Sequence, residues 1–242
     1  MGRAPLAPGG RGAARWKSAR SAPHGDPTQE SPVLAWPAVT VDETALAARV
    51  KVQLRKRLAH LRGALPKAAA RARSDRIVDS VLDLPAWRTA KSVALFCPMV
   101  DKNEVGVSAL DPAARSDGKR VAYPFMRRSA GGFSTGFAWT DSVTELENRG
   151  RGFPEPGPDA PAAASTDLDL IVVAALGVAP SGHRLGFGRG WYDATLGEFR
   201  DHAVLVVVAF EFQLLVELPV EAHDIACHYV VTDERVIAAT SP

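Results

Sequence analysis

Cysteine is scarce in this chain of 242 residues, which contains only Cys97 and Cys227. Two cysteines in apolar or mixed segments do not make the disulfide framework of a small secreted domain, so we expect a reducing compartment. Long apolar runs are missing as well, since no stretch reaches the ~20 residues that a membrane-spanning helix needs. The N-terminus also lacks the apolar core of a secretory signal. These absences predict a cytoplasmic protein with no membrane partner.

A strong excess of one charge is also absent. The formal net charge is +2, and residues 1–40 hold five basic and two acidic groups, which leaves 24 basic and 25 acidic groups for the remainder. Because the remainder is nearly neutral, it lacks the basic surface that a nucleic-acid partner would require. Its hydrophobic content of 46% is enough for one sizeable core, and we expect a monomer.

Residues 1–41 show no hydrophobic period and are dense in proline, glycine, alanine and arginine. Their prolines exclude a long helix, so this segment is predicted to be a disordered basic tail. A targeting peptide and an over-extended start site are the alternatives, because the first 25 residues are rich in arginine and contain no acidic residue. The chain therefore divides into a tail, residues 1–41, and a single α/β domain, residues 42–242.

The domain begins with two predicted helices and continues with short strands. Asp42 is a suitable helix N-cap, and apolar residues at helical spacing predict an amphipathic helix up to about Leu65. A second helix is expected over 67–82. Runs rich in β-branched residues follow: Ser92–Cys97, Arg120–Tyr123, Leu170–Val173, Ala203–Phe210 and Tyr229–Thr232. Apolar runs favour strands buried on both faces, so we expect a three-layer α/β fold, with an open, twisted, mostly parallel sheet flanked by helices.

A glycine-rich loop follows the strand predicted near residue 170. Its glycines, at positions 182, 186, 188 and 190, permit tight turns and bring backbone N–H groups close to an anion. Arg184 and Arg189 add positive charge, and a helix predicted from Trp191 toward Phe199 would point its N-terminus at the loop. Asp193, in the first turn, could hold Mg²⁺. Together these features favour a phosphate site over an ordinary turn, although the loop is neither a Walker A motif nor a Rossmann fingerprint.

The run Arg184-Leu-Gly-Phe-Gly-Arg-Gly-Trp-Tyr-Asp193 resembles the motif Arg-Leu-Gly-x-Gly-x-Gly-x-Tyr-Asp of the 5-formyltetrahydrofolate cyclo-ligase family. Shorter similar pieces occur in the expected order over most of residues 47–236: Lys51–Arg55, Phe96–Met99 with Glu104 after it, Gly118–Pro124, Gly152–Pro156, Leu218–Asp224 and Val230–Thr232. The order and spacing of these pieces are more specific than any one of them alone.

This resemblance implies an enzyme that closes the ring of 5-formyltetrahydrofolate to 5,10-methenyltetrahydrofolate with ATP and Mg²⁺. The formyl oxygen would attack the γ-phosphoryl group of ATP and displace ADP, giving a phosphorylated, imine-like intermediate. The second folate nitrogen would then attack the formyl carbon, and phosphate would leave. Lys51 and Arg184 carry over as catalytic cations. The implied ATP contacts are Lys51, Arg55, Arg184, Leu185, Gly186, Phe187, Gly188, Arg189, Gly190, Trp191 and Tyr192. The implied folate contacts are Glu104, Phe187, Gly188, Arg189, Gly190 and Trp191, and the implied magnesium ligands are Asp193 and Asp224.

The sequence departs from the family pattern in a few places. The family usually reads Val-Pro-x-x-Ala/Gly-Phe-Asp before the glycine-rich loop, whereas this chain has Val173–Ala179 without the proline, phenylalanine or aspartate. The family's Asp-Thr after the glutamate is Gly106-Val107 here. These changes keep open the alternative of a diverged relative that binds nucleotide or folate without turnover.

Two further patterns compete with this interpretation. The run Gly132-Phe-Ser-Thr-Gly136 matches the nucleophile elbow of serine hydrolases, with Ser134 as nucleophile. No helical period follows it, so we interpret it as a chance match in a strand or hairpin. A zinc site built from His223, Cys227 and His228 lacks a paired Cys-x-x-Cys set, and both histidines are interpreted as structural.

Overall fold

The computed structural model describes residues 43–129, 132–150, 152–188 and 190–240. The predicted tail, the proposed N-cap Asp42 and the loop residue Arg189 lie outside these ranges. The described helices are α1 (Glu43–Ala64), α2 (Lys67–Asp83), α3 (Pro85–Thr89), α4 (Leu110–Ser116) and α5 (Trp191–Leu196). The described strands are β1 (Ser92–Ala94), β2 (Arg120–Ser129), β3 (Gly132–Trp139), β4 (Glu147–Asn148), β5 (Pro154–Glu155), β6 (Leu170–Ala174), β7 (Gly177–Val178), β8 (Arg184–Leu185), β9 (Val204–Val208), β10 (Tyr229–Val231) and β11 (Val236–Ala238).

The first two helices lie where the apolar periodicity predicts them. Helix α1 ends just before Pro66, because a proline disfavours helical backbone in the residue that precedes it. Helix α2 ends at Asp83, where Leu84 and Pro85 interrupt the helix. Helix α5 is shorter than predicted and ends at Leu196, beyond which the chain continues in turns. No helix in the described ranges is long and apolar enough to cross a membrane.

Seven strands form the main sheet in the order β11-β10-β9-β6-β1-β2-β3. Every neighbouring pair from β10 to β2 is parallel, and an antiparallel strand closes each edge. Strand β2 continues to Ser129, past the predicted end at Tyr123, because β3 pairs with it along almost its whole length. This mostly parallel sheet with flanking helices confirms the predicted α/β fold class.

Both faces of the sheet are buried. In β6, Leu170 and Val172 belong to the core under α2, α3 and α4, whereas Ile171 and Val173 belong to the core on the opposite face, under α5. Strand β9 alternates in the same way. A strand whose successive side chains all enter a core must be apolar throughout, which explains the uninterrupted apolar runs in the sequence.

The chain reverses its direction of sheet growth between β1 and β6. From β1 it proceeds to β2 and β3 on one side, and it later returns to β6 and β9 on the other. In open α/β sheets, such a switch point leaves a crevice beyond the carboxyl ends of the strands. The segments that leave β1 and β6 at these ends, 95–104 and 175–190, carry most of the predicted site.

Candidate active site

A cleft of about 1000 Å³ opens beyond the carboxyl ends of β1 and β6. It is lined by all six charged side chains that sequence analysis assigned to the site and that the structure describes: Lys51, Arg55, Glu104, Arg184, Asp193 and Asp224. These residues come from α1, from the loop after β1, from the glycine-rich loop with α5, and from the loop before β10. The fold therefore collects groups from four separate parts of the chain around one space.

Helix α1 contributes the first two cations. Lys51 and Arg55 are one helical turn apart and so share a face. The Lys51 Nζ lies 2.9 Å from Asp224 Oδ2 and 3.2 Å from Glu221 Oε2, while the Arg55 Nε donates to the Gly186 carbonyl at 2.9 Å. We call Lys51, Arg55 and Arg184 together the basic wall of the cleft.

The ion pair of Lys51 with Asp224 is favoured over its neutral form. Burial alone would lower the pKa of Lys51, but the hydrogen bonds with Asp224 and Glu221 raise it above its ordinary value. Burial alone would also raise the pKa of Asp224, but Lys51 and the Glu221 N–H hold it below its ordinary value. Both groups therefore stay charged at neutral pH.

The glycine-rich loop is held at its base by the β7–β8 pair, in which Val178 faces Arg184. Gly182 has a φ of +84°, and a Cβ there would collide with the Cys227 carbonyl oxygen, so only glycine fits. A Cβ at Gly188 would lie 3.3 Å from the Arg55 guanidinium. Among the described residues, the N–H groups of Gly186, Phe187 and Gly188 donate no hydrogen bond. Unpaired N–H groups in a glycine-rich turn are suited to an anion.

Arg184 ties the start of this loop to the helix that follows it. Its Nη1 donates to the Ile225 carbonyl at 2.6 Å, and its Nη2 donates to Asp193 Oδ1 at 2.8 Å. The side chain of Arg184 is only 3% exposed, whereas that of Asp193 is 29% exposed. The arginine is thus fixed by the protein, and the carboxylate remains accessible from the cleft.

The carboxylates on the two sides of the cleft belong to different ion pairs. Asp193 pairs with Arg184, whereas Asp224 lies with Glu221 and His223 in a group of possible metal ligands. Asp193 is not a member of that group. The carboxylate oxygens of Glu221 and Asp224 are the donor chemistry that Mg²⁺ prefers, so the residues present fit a magnesium ion, although Lys51 now occupies the space between them.

Aromatic rings line the cleft next to the glycine-rich loop. The Trp191 ring makes edge contacts with Phe153 and Tyr192, at centroid distances of 6.3 and 4.8 Å. Phe187 projects from the loop and is 41% exposed. The indole Nε1 of Trp191 is buried with no hydrogen-bond partner among the described residues. This part of the cleft offers apolar faces and one unmet donor, which suits a flat heterocycle.

Glu104 lies on the opposite side and is almost completely buried. Its Oε2 accepts a hydrogen bond from the Met99 N–H at 2.9 Å, and its Oε1 lies 3.7 Å from Arg62 Nη1. Burial raises the pKa of Glu104, although Met99, Arg62 and Lys102 act in the opposite direction. The next residue back, Asn103, adopts a left-handed conformation and donates to the Arg62 and Leu65 carbonyls at the end of α1.

Three residues of the cleft region were missed by sequence analysis: Arg62, Asn103 and Glu221. Arg62 lies two helical turns after Arg55, but α1 is so rich in basic residues that the sequence does not distinguish it. Asn103 is a residue type that tolerates the left-handed conformation, which is a usable signal. Glu221 lies three residues before Asp224 and could have been suspected from that spacing alone.

The competing patterns find no support in the structure. Ser134 lies within β3 and pairs with Arg127 of β2, so it is not on the strand-to-helix turn that a nucleophile elbow requires. His228 Nδ1 accepts a hydrogen bond from the Leu205 N–H at 2.9 Å, which is a structural role as predicted. His223, also predicted to be structural, instead lies 71% exposed beside Glu221 and Asp224.

Comparison with known proteins gives one consistent result. The model of the 5-formyltetrahydrofolate cyclo-ligase family matches residues 47–233. A 5-formyltetrahydrofolate cyclo-ligase of Mycolicibacterium smegmatis is 32% identical over 198 residues, covering 80% of this chain and 99% of the relative. A probable enzyme of the same name from Schizosaccharomyces pombe is 28% identical over 202 residues, covering 77% and 97%.

Solved structures agree with these relatives. The 5,10-methenyltetrahydrofolate synthetase of Aquifex aeolicus superposes with a TM-score of 0.68 at 30% identity, covering 80% of this chain and 94% of that one. The corresponding protein of Mycoplasma pneumoniae has a TM-score of 0.59 at 21% identity, covering 76% and 98%, and this second likeness supports the fold alone.

Proposed function

The chain belongs to the 5-formyltetrahydrofolate cyclo-ligase family, and from this premise we propose that it converts 5-formyltetrahydrofolate to 5,10-methenyltetrahydrofolate with ATP, releasing ADP and phosphate. The observation that carries the proposal is the cleft itself. A wall of three cations and a buried carboxylate face one space, with aromatic rings beside them. A substrate pair made of a polyanion and a flat heterocycle needs this combination.

The basic wall is suited to the phosphates of ATP. Phosphoryl transfer depends on positioning and on neutralisation of charge more than on covalent help from the protein. Lys51, Arg55 and Arg184 supply that charge, and the unpaired N–H groups of the glycine-rich loop add directional donors. Each cation is already held by a carboxylate or a carbonyl, so it is ordered before a ligand arrives. Arg189, which lies outside the described residues, stays a predicted contact of ATP and folate in the same loop.

Magnesium fits the same end of the cleft. Asp224 with Glu221 beside it, and Asp193, are the residues whose carboxylates would hold the ion. When bound, Mg²⁺ would neutralise negative charge on the phosphates.

The folate ring is proposed to lie between Glu104 and the aromatic residues Phe187 and Trp191. An ionised carboxylate can accept hydrogen bonds from the ring amide and the exocyclic amine of a pterin. The aromatic faces would bury the ring and exclude water from the reacting formyl group. Exclusion of water matters because hydrolysis would compete with attack by the second folate nitrogen.

The departures from the family pattern do not remove any group from the cleft. Ala179, which replaces the family's aspartate, is 2% exposed and packs against Leu58, Leu185 and Leu218. This small apolar cluster lies behind α1 and supports the base of the loop. The change therefore leaves the charged groups that line the cleft in place, and a relative without turnover is not favoured.

Formation of the methenyl product, followed by its absorbance, tests the function. We expect product that requires both ATP and Mg²⁺, and an Asp193→Ala variant should lose most of it because Asp193 both orders Arg184 and contributes a metal-ligating oxygen. Arg88→Met, which removes an exposed cation that does not line the cleft, is the control. Folded wild-type protein that binds ATP but forms no product would contradict the proposal.

We also propose that the protein is cytoplasmic and monomeric. Both cysteines are unpaired, and burial raises the pKa of each thiol to about 11, so both are largely protonated. Free thiols support a reducing, cytoplasmic location. The expected monomeric state remains a prediction.

A further inference from the structure

Arg62 is a buried arginine that does not line the cleft itself but lies behind residues that do. It belongs to the last turn of α1 and is 1% exposed. Its Nη1 is 3.4 Å from the Ala175 carbonyl oxygen and 3.7 Å from Glu104 Oε1, and its Nε has no hydrogen-bond partner in the described ranges. Removing a charged guanidinium from water is costly, so its position calls for a compensating role.

The guanidinium of Arg62 lies next to one residue from each side of the cleft, Phe187 and Glu104. Its central carbon lies 5.4 Å from the centroid of the Phe187 ring, while the Nζ of Lys102 lies 5.0 Å from the same centroid. Both distances fall within the range of cation–π attraction. Phe187 belongs to the glycine-rich loop and Glu104 belongs to the loop after β1, so Arg62 is a physical link between these two loops.

We propose that Arg62 is a positioning residue for the folate site, which holds Glu104 ionised and aimed into the cleft and supports the ring of Phe187 against which the substrate packs. This role rests on the proposed function. The carboxylate is held in place by three contacts: Met99 N–H fixes Oε2, Arg62 attracts Oε1, and Asn103 ties the adjoining backbone to the end of α1.

The charge of Arg62 matters because Glu104 is desolvated. Burial favours protonation of Glu104, and Asp101 adds to this effect, while Arg62 and Lys102 oppose it. Tyr192 of α5 also faces Glu104, but burial raises its pKa and it stays neutral. Of the two cations, Arg62 is the buried one, so solvent screens its attraction least. A protonated Glu104 would present a donor where a pterin ring also presents donors, and binding would fail.

The test replaces Arg62 with Met and with Lys and follows kcat/KM for 5-formyltetrahydrofolate across pH. In Arg62→Met we expect the acid limb of the profile to move up by about one pH unit, which is about a tenfold loss on that limb with little change on the plateau above it. The KM for the folate should rise, whereas the KM for ATP should change little. Arg62→Lys keeps the charge and should restore most of the profile, and Arg88→Met should match the wild type.

A purely structural role would lower activity by the same factor at every pH, and that result would overturn the proposal. If Arg62→Met does not fold, the double variant Arg62→Met with Glu104→Gln removes both buried charges and should fold, because no unpaired ion remains. Its activity should lack the acid limb, and retention of that limb would contradict the role of Glu104.

Binding of the folate, measured by intrinsic tryptophan fluorescence, separates this inference from the proposed function. Loss of binding below neutral pH in Arg62→Met, in a protein whose wild type binds folate but forms no product, would support the role of Arg62 and refute the ligase activity. Product formation by the wild type, together with pH-independent folate binding in Arg62→Met, would support the ligase activity and refute the role of Arg62.

Discussion

Two carboxylates at opposite ends of the parallel strands show how differently this sheet uses negative charge. Asp169 lies at the amino end, immediately before β6, and its Oδ2 accepts hydrogen bonds from Lys91 N, Ser92 N and Ser92 Oγ at 2.8, 2.9 and 2.8 Å. Glu104 lies beyond the carboxyl end of β1 and accepts one hydrogen bond, from the Met99 N–H. Three protein donors thus converge on one oxygen of the exposed carboxylate, whereas the buried carboxylate accepts a single hydrogen bond.

Their pKa values move in opposite directions for this reason. Burial alone would raise the pKa of Asp169, but the side chain and N–H of Ser92 and the N–H of Lys91 outweigh it and lower the pKa below the ordinary range. At Glu104 burial prevails and the pKa is raised. A carboxylate held by several protein donors stabilises the fold, whereas one that is buried with a single donor has acceptor capacity left for a ligand.

The largest expected effect comes from replacing the Glu104 carboxylate with a neutral amide, and the same replacement at Asp169 is the comparison. Glu104→Gln should lower kcat/KM for 5-formyltetrahydrofolate about 100-fold, because hydrogen bonds to a charged acceptor are replaced by one neutral oxygen and a misplaced donor. Asp169→Asn should leave kcat/KM within about twofold, because its contacts are all internal. Steady-state assays of both variants at neutral pH make the comparison.

Equal losses in the two variants would mean that the two ends of the sheet are not functionally distinct. The KM for ATP is the internal control, since neither carboxylate touches the basic wall. A rise of that constant in Glu104→Gln would place Glu104 on the nucleotide side and contradict the arrangement proposed above.

The next effect is on stability and its pH dependence. Asp169→Asn should lower the free energy of unfolding by about 1 kcal/mol at neutral pH, allowing for solvent screening of an exposed group. Because the folded pKa of Asp169 is depressed, its contribution is present above about pH 4 and is lost as pH falls through the folded pKa. Chemical denaturation of wild type and variant should therefore converge at low pH.

For Glu104, the free energy of unfolding should change with pH in the opposite direction. Its folded pKa is raised, so the folded state binds a proton more tightly than the unfolded state, and its contribution to stability falls as pH rises above about 4 and through the folded pKa. In Glu104→Gln this decline should disappear. If the difference in the free energy of unfolding between wild type and Glu104→Gln stays constant over that pH window, Glu104 is not desolvated.

Much of this arrangement can be predicted from sequence where local chemistry dictates it. The glycine-rich loop is recognisable because Gly182, Gly188 and Gly190 adopt the left-handed backbone that favours glycine and because arginines accompany them. The shared face of Lys51 and Arg55 follows from helical spacing alone. The uninterrupted apolar run in β6 predicts burial on both faces. These features depend on residues close together in the chain.

Pairing across the fold is not visible in the same way. Arg62 and Glu104 meet only because Asn103 docks the loop after β1 against the end of α1, and nothing local marks either partner as buried. The hydrogen bonds of Asp169 to Lys91 and Ser92 depend on the parallel pairing of β1 with β6. The extension of β2 to Ser129 likewise depends on its partner β3. Such contacts require the topology first, which the sequence patterns specify only as a class.

The smallest expected effect isolates one of the three donors that bind Asp169 Oδ2. Ser92→Ala removes the hydroxyl that donates to Asp169 Oδ2 and accepts from the Asp169 N–H, but it leaves the two backbone donors in place. The free energy of unfolding should fall by about 0.5 kcal/mol, less than in Asp169→Asn, and kcat/KM should not change. Because Asp169 keeps a charge with fewer donors, its pKa should rise toward the ordinary range, and acid unfolding should begin at a higher pH than in wild type. An acid midpoint identical to that of the wild type would mean that the two backbone N–H groups alone lower the pKa, and the low pKa of Asp169 would then be a property of the β1–β6 pairing itself.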